Sequence, residues 1–75
     1  MKIYIANNVS DMAKENRHWA FDSQEKANEF VADLIKGLKE RDEIYEIHHE
    51  SDNELHCEAS YGQYVRIYVE ELELN

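Results

Sequence analysis

The chain has 75 residues, with 17 acidic side chains against 8 basic ones, one cysteine and no proline. That length allows one domain over 1–75 with a thin stability margin, because so short a chain buries only about 60% of its unfolded surface. A lone thiol excludes a disulfide scaffold and suits a reducing cytoplasm, and no apolar run approaches the ~18 residues of a membrane span.

Met1–Ala6 is too short for a signal peptide, and polar Asn7 and Asn8 follow it at once. The net charge of −9 is unevenly placed. Residues 1–39 balance six acids with six bases, whereas residues 40–75 set eleven acids against Arg41 and Arg66 alone. Direct binding to nucleic acid or to an anionic membrane needs a basic patch, and the sequence offers none.

Lys2–Ala6 reads as a short strand with Ile3 and Ile5 on one face. Asn7–Arg17 reads as a loop, since a helix over Asp11–Asn16 capped by Ser10 would carry only Met12 and Ala13 as apolar residues. His18–Phe21 forms a second strand, with Trp19 and Phe21 pointing the same way.

A helix of about seventeen residues follows, capped by Asp22 or Ser23, with the Asp22–Glu25 spacing of a capping box. Ala27, Phe30, Val31, Leu34, Ile35 and Leu38 recur at steps of three and four and make one apolar stripe. Acids come early and bases late, in favour of the macrodipole. Gly37 weakens the last turn by ~1 kcal/mol relative to alanine, so the helix ends near Lys39–Arg41.

A hairpin comes next. Tyr45, Ile47 and His49 alternate with Glu46, His48 and Glu50; beyond Ser51–Asn53, Leu55, Cys57 and Ala59 alternate with Glu54, His56 and Glu58. A three-residue loop pairs 47 with 57 and 45 with 59, whereas a two-residue loop would put Ile47 opposite Glu58. Tyr61–Gln63 then turns the chain into a last strand with Val65, Ile67 and Val69 inward. The alternation slips at Glu70–Glu71, which predicts a bulge or bend before Leu72 and Leu74.

These elements give an α+β fold: a mainly antiparallel sheet of four or five strands with one helix on one face. Phe30, Leu34, Ile47, Val65 and Ile67 are expected at the centre of its core. The other face is wet. There Glu46, His48 and Glu50 are expected opposite Glu58, His56 and Glu54, with Arg66 across from Glu58, Tyr68 from His56 and Glu70 from Glu54. Facing like charges destabilise a sheet by a few tenths to ~1 kcal/mol per pair, with no obvious structural return.

The opening KIYI strand, the aromatic before "DSQEKANEF" and the closing "YVEELEL" strand resemble small proteins of phage and prophage genomes. The resemblance covers about half the chain, implies a compact α+β domain and supplies no functional residue. In size and acidity the chain is also similar to phage-encoded inhibitors of restriction and CRISPR enzymes, a likeness of composition.

Four readings compete. Glu46, Glu50, Glu54, Glu58 and Glu70, with Glu71 and Glu73 beyond the slip, can mimic phosphates, because strands lie about 4.8 Å apart and same-face residues about 6.8 Å apart. Such a face is steered into the basic groove of a nucleic-acid-binding enzyme, with Tyr64, Arg66 and Tyr68 adding specificity. Against this stands solubility alone, in a small accessory protein that forms a homodimer through a sheet edge. His48 and His56, flanked by Glu46 and Glu58, are weak candidates for a divalent metal, but no close-spaced His/Cys motif supports them and no cofactor is expected. Catalysis is the least supported: Cys57 points inward, and an open sheet face provides no pocket for acid–base work. The preferred expectation is therefore a non-enzymatic, phage-derived inhibitor that occludes a basic surface of a host defence enzyme.

Overall fold

The computed structural model describes residues 1–10, 16–41, 44–59 and 62–74. Its elements are β1 (Lys2–Ser10), β2 (Arg17–Phe21), α1 (Gln24–Glu40), β3 (Ile44–Ser51), β4 (Glu54–Ala59) and β5 (Tyr64–Glu73). The strands form one sheet in the order β2-β1-β5-β4-β3, with every neighbouring pair antiparallel. One helix on a five-stranded antiparallel sheet is the expected α+β class. Because β2 and β3 are the opposite edges, α1 carries the chain across the sheet from one edge to the other.

Strand β1 extends through Asn7–Ser10, where a loop was expected. The cause is pairing with the long β5, from Lys2 opposite Glu73 to Ser10 opposite Val65 without interruption. Weak local strand propensity is overridden by a continuous ladder with β5, joined by β2 as far as Asn8. The alternative of a short helix at 11–16 falls largely outside the described residues.

Ser23, in an extended conformation, caps α1 by accepting from the Lys26 N–H at 3.1 Å. The Asp22–Glu25 box does not form. Asp22 lies one residue before the cap and holds Lys26 Nζ at 3.1 Å instead. At the other end the Arg41 N–H reaches the carbonyls of Gly37 and Lys39.

The helix stripe meets the sheet through Ala27, Val31 and Ile35, all buried. Phe30 packs against both Trp19 and Phe21, with ring centroids 4.7 and 5.3 Å apart. Leu55, Ile67, Val31 and Cys57 are the largest fully buried side chains. Val65 and Ile67 are therefore core as expected, and Phe30 and Leu34 border it. Ile47 is not at the centre. It lies on edge strand β3 and stays 42% exposed.

The slip at Glu70–Glu71 involves no bulge, since the β1–β5 register is unbroken there. The apolar residues simply change faces. Val65, Ile67 and Val69 lie on the helix side, whereas Leu72 lies opposite Ile3 on the other side.

Candidate functional site

The hairpin register decides which side chains reach the uncovered face. The turn is only Asp52–Asn53, so Ser51 pairs with Glu54, Glu50 with Leu55 and His49 with His56. Left uncorrected, this register would turn Ile47 away from the core. A bulge between Ile47 and His49 absorbs one residue and restores Ile47 opposite Cys57. A second irregularity between Ile44 and Glu46 leaves Tyr45 unpaired and 77% exposed. Two bulges on an edge strand also blunt it against pairing with another sheet.

These shifts redistribute the expected acidic field. Glu50 stands opposite core residue Leu55, on the helix side, where it pairs with Lys39 of α1. Glu71 and Glu73 share the register parity of Val69 and so also belong to the helix-side face. Glu71 lies 3.1 Å from Lys2 Nζ, and its hydrogen bond and charge raise the Lys2 pKa above the ordinary value. The seven carboxylates are therefore split. Glu46, Glu54, Glu58 and Glu70 remain on the uncovered face.

Partners along β4 and β5 also shift by two residues. His56 stands across from Arg66, and Glu58 across from Tyr64. A shift of two preserves the faces, so Tyr64, Arg66 and Tyr68 stay on the uncovered side. The Arg66 guanidinium sits 5.2 Å from the Tyr68 ring centre, a cation–π contact. Tyr68 is opposite Asn7, and Glu70 is opposite Ile5, where a β4 partner was expected. Beyond them Ile3, Ile5 and Leu72 form an apolar end to the same face, with Leu72 42% exposed.

His49, expected inward, faces outward because the two-residue turn pairs it with His56 before the bulge is reached. His49, not His48, is the cross-strand partner of His56, with ring centroids 5.5 Å apart. Both rings approach one carboxylate: His56 Nε2 lies 3.0 Å from Glu54 Oε1, and His49 Nε2 lies 3.6 Å from Oε2. The shorter contact is poorly aligned, so buried His56 Nε2 makes no hydrogen bond. His48 turns toward Tyr64, at 6.0 Å between ring centres. His48, His56, Tyr64 and Arg66 line a shallow cleft of about 330 Å³. Among the described residues no group of three or more His, Cys, Asp or Glu side chains is arranged to hold a metal ion.

Cys57 is 1% exposed, and burial raises its thiol pKa. That suppresses the thiolate a nucleophile requires. Sequence reasoning missed His49, Lys39 and Lys2. The first was signalled by Asp52–Asn53, residue types that favour a two-residue turn; the same turn brings Glu50 to Lys39, whereas Lys2 carries no local signal because its partner is set by the β1–β5 pairing. No described helix is long and apolar enough to cross a membrane. No family model, curated protein or solved structure matches the chain.

Proposed function

We propose that the chain is a non-enzymatic binding protein whose uncovered sheet face docks on a basic surface of a nucleic-acid-binding protein. The supporting observation is the company kept by Glu46, Glu54, Glu58 and Glu70, which share that face with Tyr64, Arg66 and Tyr68. Carboxylates at strand spacing steer a cationic partner into place, and the aromatic–arginine row supplies contact area and register. Glu50 and Glu71 lie outside this surface and are already matched by Lys39 and Lys2. The mimicry thus involves four charges and not seven. The phage resemblance makes a host defence enzyme the natural partner under this reading.

The test is capture from a bacterial lysate with tagged protein, identification by mass spectrometry, and competition against labelled DNA on the purified partner. The reading requires a DNA-binding partner that releases its DNA as this protein is added, less so as salt rises. Capture of a partner without basic DNA-binding character, or DNA that stays bound, contradicts it.

A second reading rests on a different observation. Ile3, Ile5 and Leu72, beside exposed Met1 and Leu74, make an apolar end to the uncovered face that suits a homodimer seam. Sedimentation at rising concentration separates the two: a dimer lost in Leu72→Asp supports the seam, and a monomer at all concentrations removes it.

A further inference from the structure

A second cavity lies on the opposite side of the sheet, between α1 and the β2–β1–β5 edge, and holds about 240 Å³. Its floor is apolar: Trp19, Leu34, Leu38 and Ile67. Arg17, the first residue of β2, and Arg41, the cap residue of α1, also line it, although they are 24 residues apart in the chain. Both are exposed and therefore stand at its mouth. Among the described residues, neither guanidinium has a carboxylate within ion-pair distance. Asp33 borders the same cavity and pairs with neither.

In a chain of net charge −9, two unmatched arginines converging on one cavity call for an explanation. Of the four described lysines, Lys2, Lys26 and Lys39 each find an acid and Lys36 does not. Gly37 borders the same cavity, and a Cβ built there would meet nothing within 4 Å. Glycine inside a helix costs ~1 kcal/mol relative to alanine. A larger side chain at 37 would therefore have open space to enter beside the cavity.

We propose that this cavity binds a small organic carboxylate, its charged end held by Arg17 and Arg41 and its apolar body set against Trp19 and the two leucines. The guanidinium fork matches a carboxylate in a bidentate manner. The volume is just below the ~300 Å³ at which ligand pockets begin, which limits the ligand to about one ring or a short branched chain. Asp33 and the negative end of the helix dipole oppose an anion here, so binding depends on both guanidiniums. The apolar floor favours a carboxylate over inorganic phosphate, which has no body to bury.

The chain reports on this site directly. Trp19 is its only tryptophan, and Gly37 and Gly62 are its only glycines. Titrating the intact protein with cyclohexanecarboxylate, transparent at indole wavelengths, should change Trp19 emission saturably, with Kd on the order of 1 mM. In an amide ¹H–¹⁵N spectrum the Gly37 peak should move with the same midpoint while Gly62 stays in place. Cyclohexanemethanol and inorganic phosphate should each bind at least about tenfold more weakly. Arg17→Ala with Arg41→Ala should weaken the carboxylate at least about tenfold, and Gly37→Leu should abolish its binding, with circular dichroism unchanged in both. A linear, unsaturable response overturns the proposal. So does equal binding of the alcohol, or a midpoint that ignores the arginine changes. If either variant loses its dichroism, the comparison of carboxylate with alcohol on the unmodified protein still decides.

Discussion

Glu46 stands directly across from Glu58 on the uncovered face, and among the described residues neither carboxylate is matched by a base. Facing like charges weaken a sheet by a few tenths to ~1 kcal/mol. Glu46→Lys should therefore stabilise the fold by about that amount, read as a higher urea midpoint at unchanged slope, while weakening partner capture. A lower midpoint would mean that the pair is not repulsive in the folded protein.

The core centre is testable by truncation. Leu55→Ala empties a fully buried position and should cost about 2–5 kcal/mol, enough to unfold much of so small a domain. Ile47→Ala, at an edge position left 42% exposed, should cost under about 1.5 kcal/mol. Equal losses in denaturant melts would place Ile47 in the core after all.

The bulge in β3 yields an unusual deletion. Removing His48 leaves His49 opposite His56 and Ile47 opposite Cys57 as consecutive pairs, so the faces stay correct. The variant should keep its dichroism and, with a more regular edge, associate more readily at high concentration. Deleting His56 instead, from the regularly paired β4, should unfold the protein. An unfolded His48 deletion would show that the bulge is needed for more than register.

Cys57 links burial to pH. Its folded-state thiol pKa is raised by desolvation, so the folded state keeps its proton where the unfolded chain has lost it. The resulting stability is present in full below the ordinary thiol pKa and is lost as pH rises from about 8.5 toward the folded value. Cys57→Ala should flatten that decline, and the native thiol should react with a disulfide reagent far more slowly than the unfolded chain does. Rapid labelling at neutral pH would contradict this burial.

The helix, its stripe and the inward residues of β4 and β5 were legible because each rests on local periodicity. The faces of β3 were not. A two-residue turn and a bulge cancel in their effect on Ile47 but not on His49 and Glu50, so simple alternation places the first correctly and the other two wrongly. Asn7–Ser10 lacks a strand signature because its ladder is supplied by β5, more than fifty residues away. Glu71 owes its lysine partner to that same distant pairing, whereas Glu50 meets Lys39 because the two-residue turn puts it on the helix side.

The docking claim turns on placement and not on total charge, and two variants of equal charge separate these. Glu54→Lys with Glu58→Lys alters the uncovered face; Glu71→Lys with Glu73→Lys alters the other, and each pair raises the net charge of −9 by four. Quantified capture of the partner at fixed salt should collapse for the first pair and persist for the second, with both proteins folded. Equal loss in the two, or loss confined to the second, would contradict the account.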